Sequence, residues 1–205
     1  MYKVRRGLKM DILLATNNSH KKDEIQAILT QHKIITPKDI NLSFNCNEDG
    51  KNYFENSYKK AATLYQQTKQ IILADDSGLS VDALNGAPGI YSARYGEDKF
   101  GAKALTDDEK MDLLLEELRE EKNRKAYFVS NIVLFINPYR FYSIQETLEG
   151  EIANCKKGTN GFGYDPIFFL PQIQKHLAQL TSEEKNRISH RGKAIAQIKQ
   201  LLNKI

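Results

Sequence analysis

The chain has 205 residues, 40% of them hydrophobic, which is enough to bury a substantial core in one domain. Lys and Arg number 30 against 26 Asp and Glu, so the formal net charge is only +4 and gives no reason to expect nucleic-acid binding. No apolar run approaches the ~20 residues of a membrane helix. We therefore expect no membrane partner. The two cysteines form no paired motif, so we expect a cytoplasmic protein.

The start of the chain is basic and lacks the apolar segment of a signal peptide. We therefore interpret Met1 to Lys9 as an N-terminal extension and place a single domain at residues 10–205. An apolar run from Met10 to Thr16 predicts a strand, and the pattern after it predicts a helix from about His20 to Thr30 with Ser19 as its N-cap.

The start of this first helix is a candidate phosphate site. Its free N–H groups would bind an anion, and Lys21 in the first turn is unfavourable for the helix unless a phosphate shares the site. The alternative is a solvated lysine on a surface helix. The glycine spacing of a Walker motif is missing.

The next segment predicts a short strand at residues 34–35, a polar loop at 38–50 and a helix from Tyr53 to Gln67. Glu48 lies in the loop and Lys60 in the helix. From the pattern alone, each could simply be exposed to solvent.

Two adjacent carboxylates follow the buried strand predicted at residues 71–74. Asp75 and Asp76 come at its carboxyl end, where ligands bind in open α/β sheets, and Ser77 and Gly78 are expected to turn the chain. Because successive strand residues face opposite ways, we expect one carboxylate to face a ligand and the other to brace the loop. The alternative is a polar turn that caps the strand.

The middle of the chain predicts a helix and a hairpin. A capping box at Thr106 to Glu109 starts the helix, and β-rich runs at residues 125–136 and 140–152 predict the two strands of the hairpin. Helices alternating with these strands predict an α/β fold whose sheet has an antiparallel portion.

The last third contains a loop with three glycines around Phe162 and Tyr164. An exposed aromatic ring there would offer a stacking face for a base, whereas the alternative is a turn that buries both rings. A second capping box at Thr181 starts a helix that residues 189–193 interrupt, and His190 and Arg191 at this break suit an anion or the edge of a base.

Taken together, these parts predict a site for a nucleoside triphosphate with Mg²⁺. Lysine and N–H donors suit the phosphates, carboxylate oxygens suit the cation, and an aromatic loop suits the base.

Five segments in this order resemble the inosine triphosphate pyrophosphatase family, also called Ham1-like. The segments are TNNSHK at 16–21, ADDSGL at 74–79, GAPGIYSARY at 86–95, GFGYDPIF at 161–168 and SHRG at 189–192. The resemblance runs from about Asp11 to the C-terminus. It implies an elongated α/β structure with two lobes on a long mixed β-sheet flanked by helices, an active site in the cleft between the lobes, and a cytoplasmic homodimer.

The resemblance also implies Mg²⁺-dependent hydrolysis of ITP, dITP, XTP and dXTP to the monophosphate and pyrophosphate, which removes deaminated purines from the nucleotide pool. Asp76 matches the catalytic proton acceptor and a metal ligand, with Glu48 and Asp75 as the further metal carboxylates. The residues that match substrate-binding positions are Thr16, Asn17, Asn18, Ser19, His20, Lys21, Lys60, Ser77, Phe162, Gly163, Tyr164, Asp165, Lys185, His190 and Arg191.

Two positions depart from the family pattern, which usually has Gly where this chain has Asn17 and Asn160. Asn tolerates positive φ better than most residues, so we expect both loops to be preserved. Two other functions stay open. One is a Maf-like pyrophosphatase of modified nucleotides. The other is a non-catalytic nucleotide-binding module, which would leave the carboxylates at 48, 75 and 76 unexplained.

Overall fold

The computed structural model describes residues 9–101 and 104–204, so the extension predicted at Met1 to Lys9 lies outside the described residues except for Lys9. Within this part of the chain, the strands and α-helices are β1 (Asp11–Leu14), α1 (Ser19–Ile28), β2 (Lys33–Ile35), α2 (Tyr53–Thr68), β3 (Ile72–Val81), α3 (Asp107–Glu117), β4 (Lys125–Asn137), β5 (Arg140–Ile152), β6 (Phe168–Leu170), β7 (Lys175–His176), α4 (Ser182–Ile188) and α5 (His190–Leu202). Among the described helices, none combines the length and apolar character needed to cross a membrane.

The strands form one seven-stranded sheet in the order β2-β1-β3-β4-β5-β6-β7. β1 runs parallel to β2 and β3, with Leu13 opposite Ile35 on one side and Ile72 on the other. β6 runs antiparallel to both β5 and β7. This mixed sheet confirms the predicted α/β fold.

The chain divides into two compact units by its internal contacts. The first unit contains the described residues up to Asp76, together with Asn131–Glu146 and the residues from Arg191 onward. The second unit contains the described residues of Ser77–Ser130 and Thr147–His190. β3, β4 and β5 contribute residues to both units.

The core of the first unit consists of two clusters fed by alternate residues of the same strands. Ile12 and Leu14 of β1 pack in the cluster that α1 and α5 cover, whereas Leu13 packs in the cluster that α2 covers. β3 alternates in the same way, with Leu73 in the first cluster and Ala74 in the second. By this alternation, the next two residues of β3 continue the two opposite faces.

The second unit has one core cluster. It combines residues of β3, α3, β4 and β5 with the short elements from β6 onward, including the fully buried Leu79, Val81 and Phe168. Phe128 of β4 and Phe168 stack obliquely, with ring centroids 4.6 Å apart. The burial of Leu79 and Val81 explains the length of β3.

The prediction that the strand ends before Asp75 is wrong, because β3 continues to Val81 and includes Asp75, Asp76, Ser77 and Gly78. The strand continues because Leu79 and Val81 are buried in the core of the second unit. Ser77 and Gly78 are common in turns, so the local sequence predicted a turn instead. The turn comes later, where Gly86 has a φ of 87° and its N–H donates to the carbonyl of Val81 at 3.0 Å.

Several local predictions are confirmed. The hairpin of β4 and β5 is present, and Asn137 Oδ1 accepts from the N–H of Tyr139 at 2.9 Å in its turn. Both capping boxes are formed, at Thr106 and at Thr181. The N-cap of α1, however, is Asn18 rather than Ser19, because the Asn18 side chain accepts from the N–H of Lys21 at 3.2 Å.

Candidate active site

The centre of the site in the first unit is the ammonium group of Lys60. Lys60 Nζ lies 2.8 Å from the backbone oxygen of Asp75, 3.0 Å from Glu48 Oε1 and 3.2 Å from Asp76 Oδ1. Both Lys60 and the Asp76 carboxylate are buried, with side-chain exposures of 8% and 6%, whereas Glu48 is 30% exposed. The structure therefore brings these three predicted site residues together.

Asn56, which the sequence analysis missed, completes this arrangement. Asn56 Nδ2 donates to Asp76 Oδ2 at 3.1 Å, and Asn56 Oδ1 accepts from the N–H of Gly50 at 2.8 Å. A Cβ at Gly50 would lie 2.6 Å from that oxygen, so only glycine allows this close approach. Asn56 lies one helical turn before Lys60 on α2, and this spacing is a signal that could have identified it.

The Asp75 carboxylate faces the other side of the sheet. Its Oδ2 lies 2.8 Å from Lys21 Nζ and accepts from Nε and Nη2 of Arg191, each at 3.1 Å. Arg191 Nη1 also pairs with Glu24 Oε2 at 2.6 Å. These ion pairs join α1, β3 and α5, and Glu24 is a second residue that the sequence analysis missed.

Burial and charge shift the pKa values of these groups in opposite directions. Burial raises the pKa of Asp76, although the charges of Lys60 and Lys21 oppose this shift. Burial alone would lower the pKa of Lys60, but the charges of Asp76, Glu48 and Asp75 outweigh it, so that pKa is raised. Burial lowers the pKa of Lys21, and the neighbouring Asp75 offsets only part of the shift.

The predicted phosphate loop, Thr16 to Lys21, connects β1 to α1. Thr16 Oγ1 accepts from the N–H of Asn18 at 3.1 Å, and Ser19 and His20 are exposed at the start of the helix. Asn17 Nδ2 donates to the carbonyl of Phe44 at 3.3 Å. The loop therefore places the start of a helix, where an anion is favoured, next to the partly buried Lys21 side chain.

The prediction that Asn17 and Asn160 replace glycine by adopting a positive φ is wrong, because neither residue has a positive φ. Each side chain instead makes a hydrogen bond to the backbone. Asn160 Nδ2 donates to the carbonyl of Leu180 at 3.0 Å, just as Asn17 bonds Phe44. At these positions Asn ties two loops together, which Gly could not do.

In the second unit, the buried Asp165 organises the glycine-rich loop. Its Oδ2 accepts from the N–H of Phe162 at 2.9 Å and from Lys185 Nζ at 2.5 Å. Lys185 Nζ also lies 4.8 Å from the ring centroid of the half-buried Phe162. Gly161 has a φ of 77°, and a Cβ there would lie 2.0 Å from Asp165 Oδ2, so this position requires glycine.

The remaining predicted site residues of the second unit are Tyr164, Gly163, His190 and Ser77, and the first three contact other protein groups. Tyr164 belongs to the core, and its hydroxyl donates to the carbonyl of Ser92 at 2.9 Å, so the alternative of a buried turn is correct for this side chain. Gly163 donates its N–H to Asp107 Oδ2 at 3.0 Å. His190 stacks on Phe128 with centroids 4.9 Å apart and an interplanar angle of 12°. Ser77 lies within β3.

Across residues 9–101 and 104–204, no group of three or more His, Cys, Asp or Glu side chains is arranged to hold a metal ion. Glu48 and Asp76 share the Lys60 ammonium, whereas the Asp75 carboxylate pairs with Lys21 and Arg191. The oxygens around Lys60 nevertheless hold one cation already, and hard oxygen donors of this kind suit Mg²⁺. The donor set at Lys60 therefore fits the ion.

The mixed α/β sheet, the buried carboxylate–lysine cluster and the helix-start loop define the class of α/β nucleotide hydrolases. Residues 12–201 match the protein-family model described as the Ham1 family. The dITP/XTP pyrophosphatase of Treponema denticola is 47% identical over 193 residues, which cover 94% of this chain and 98% of that protein. The dITP/XTP pyrophosphatase of Clostridium tetani is 42% identical over 196 residues, which cover 93% and 95%.

Solved structures agree with these sequence matches. A HAM1 protein from Coxiella burnetii superimposes with a TM-score of 0.85 at 39% identity, covering 96% of this chain and 100% of that one. The Ham1 protein of Staphylococcus aureus gives a TM-score of 0.83 at 36% identity, covering 95% and 98%. The chain therefore belongs to the Ham1 family, which confirms the resemblance found in the sequence.

Proposed function

We propose that this protein hydrolyses the deaminated purine nucleoside triphosphates ITP, dITP, XTP and dXTP to the monophosphate and pyrophosphate. The observation that carries the proposal is the cluster in which the buried Asp76 and Lys60 meet the partly exposed Glu48. Its support comes from relatives that are named dITP/XTP pyrophosphatases and match nearly the whole chain. The biological role that follows is removal of deaminated purines before they enter nucleic acid.

In this proposal, Asp76 is the catalytic base. A water molecule adds across the anhydride bond between the α- and β-phosphates, and Asp76 accepts its proton as pyrophosphate leaves. Asn56 fixes the carboxylate, so that it needs little reorganisation during the reaction. Lys21 and the N–H groups at the start of α1 bind phosphate oxygens.

We assign the Mg²⁺ site to Glu48, Asp76 and the backbone oxygen of Asp75, the oxygens that now surround Lys60. When bound, the ion would neutralise phosphate charge and make water a stronger nucleophile. The Asp75 carboxylate has a different part in the proposal, because its ion pairs hold Lys21 and Arg191 in place.

We assign purine recognition to the second unit, with the Phe162 ring as a stacking face and Lys185 as a donor. Hypoxanthine and xanthine carry a carbonyl oxygen at C6, which accepts from such donors, whereas adenine carries an amino group there. Guanine shares the C6 carbonyl, so its rejection requires contacts that exclude the amino group at C2. An unpaired buried donor costs about 1–3 kcal/mol, so several contacts must combine to give strong selectivity.

We further propose that the enzyme works as a homodimer in the cytoplasm. This follows from its family, and Phe54 and Phe141 supply exposed apolar surface in the first unit. Light scattering can test the dimer directly, because one chain has a mass of 23.4 kDa.

The proposed activity is tested by measuring pyrophosphate release from dITP, XTP, dATP, dGTP and dTTP in parallel with Mg²⁺. We expect dITP and XTP to react at least ~100-fold faster than the other three, because several contacts together distinguish deaminated purines from the other bases. Equal rates on all five would refute the base selectivity. A preference for modified nucleotides would favour the Maf-like alternative, and no release from any substrate would favour a binding module.

A further inference from the structure

Lys60 satisfies its hydrogen-bonding capacity completely within the protein. An ammonium group has three N–H donors, and Lys60 Nζ contacts three oxygens, from Glu48, Asp76 and the backbone of Asp75. A lysine whose only role was to bind phosphate would have its ammonium group exposed to solvent in the absence of substrate. Lys60 is instead buried, with its charge committed to these oxygens.

The two carboxylates need a cation between them. The Asp76 side chain is nearly inaccessible to water, and it shares the Lys60 ammonium group with Glu48. Burying a carboxylate is costly unless an opposite charge pairs with it, and two carboxylates close together repel each other. Lys60 supplies the positive charge that holds both groups close together.

The three oxygens that Lys60 holds are the same oxygens that we assign to Mg²⁺. We propose that Lys60 is a positioning residue that takes the place of the metal ion in the metal-free enzyme and gives up these oxygens when the metal–triphosphate complex binds. The proposal rests on the proposed function for the assignment of the metal site. It predicts that the free ion binds weakly, because it must displace an ammonium group that has no other acceptor until a triphosphate supplies its oxygens.

Lys59 provides a matched control. It is the preceding residue on α2 and carries the same charge, but it is exposed and pairs with Asp49 at 2.6 Å. Replacing Lys59 removes one positive charge from the neighbourhood without touching the three oxygens. A comparison of the two lysines therefore separates occupation of the site from general electrostatics.

The test is direct binding of Mn²⁺, without nucleotide, to the whole protein and to the variants Lys60→Met, Lys60→Gln and Lys59→Met. Electron paramagnetic resonance of free Mn²⁺ gives the dissociation constants. We expect both Lys60 variants to bind Mn²⁺ at least about tenfold more tightly than the unsubstituted protein, because a competing charge has left the site. We expect Lys59→Met to stay within about twofold, since its charge is exposed and screened.

Equal Mn²⁺ affinity in the unsubstituted protein and both Lys60 variants would overturn the proposal, and so would equal tightening by Lys59→Met. Circular dichroism establishes that each variant is folded. If neither Lys60 variant folds, NMR of ¹⁵N-labelled lysine ammonium groups tests the unsubstituted protein. The proposal requires Mg²⁺ with a non-hydrolysable triphosphate to shift the Lys60 signal and not that of Lys59, and an unmoved Lys60 signal would refute it.

Hydrolysis of dITP by the unsubstituted protein is measured separately, so the two proposals can fail independently. An active enzyme whose Lys60 variants bind Mn²⁺ no more tightly overturns the role of Lys60 alone. An inactive protein whose Lys60 variants bind Mn²⁺ tightly supports that role and overturns the proposed function.

Discussion

Asp76 is the residue on which the proposed chemistry depends most directly. Replacing it with Asn preserves its size and one hydrogen-bonding oxygen but removes the base. We expect Asp76→Asn to lower kcat for dITP by about 10²–10⁴-fold, the usual contribution of a general base, while the triphosphate still binds through Lys21 and the α1 helix start. Steady-state kinetics and nucleotide binding by calorimetry measure both effects.

Asp49→Asn is the control for this experiment. Asp49 is an exposed carboxylate that pairs with Lys59, close in sequence to the proposed metal ligand Glu48. We expect it to leave kcat unchanged. Turnover by Asp76→Asn at the rate of the unsubstituted enzyme would contradict the role assigned to Asp76.

The sequence pattern alone leaves two roles open for Glu48 and Lys60, a functional role and exposure to solvent. The resemblance to the family identified both residues as site residues. In the structure, Glu48 supplies one of the three oxygens that contact Lys60 Nζ. Asn56 and Glu24 escaped notice because each acts through a partner distant in sequence. Asn56 contacts Asp76, 20 residues away, and Glu24 contacts Arg191, 167 residues away.

The strand β3 presents its two carboxylates to opposite faces of the sheet, and we predict that replacing them destabilises the protein to different extents. Asp75→Asn leaves the buried Arg191 and the partly buried Lys21 without their shared counter-charge, so we expect the free energy of unfolding to fall by about 3–5 kcal/mol. Asp76→Asn removes a carboxylate whose ionised form burial disfavours and leaves Lys60 paired with Glu48 and the Asp75 backbone oxygen, so we expect a smaller loss. Urea unfolding at neutral pH compares the two variants.

Because Asp75 and Asp76 are adjacent and the substitution is chemically identical, each variant is the control for the other. Equal destabilisation by the two substitutions would contradict the assignment of opposite faces. The alternation itself was expected from the sequence, but the length of β3 was not. Capping boxes and hairpin turns are local signals, whereas the extension of β3 to Val81 depends on burial of Leu79 and Val81 against residues far along the chain.

The fold class was predictable because five motifs occur in the family's order, and the match over residues 12–201 confirms it. Individual core contacts were not predictable, because composition and periodicity do not specify which helix covers which face. His32 is an example. It follows α1, is 4% exposed, and lies close enough to Lys199 of α5 for that charge to affect it.

His32 links the stability of the chain to pH. Burial lowers the pKa of His32 from 6.5, and the charge of Lys199 lowers it further. Below pH 6.5, His32 therefore binds a proton more readily in the unfolded chain than in the folded chain. The contribution of neutral His32 to stability is complete above pH 6.5 and is lost as the pH falls toward the lowered pKa. We expect His32→Gln to make the free energy of unfolding less dependent on pH as the pH falls below 6.5.

Urea unfolding at several pH values measures this dependence, and His20→Gln is the control. His20 lies exposed at the start of α1, so this variant removes a histidine by the same substitution at the surface of the protein. Carboxylates also titrate in acid, but they are present in all three proteins and cancel in the comparison. Identical pH profiles for His32→Gln and the unsubstituted protein would show that the folded chain accepts a proton at His32 as readily as the unfolded chain does.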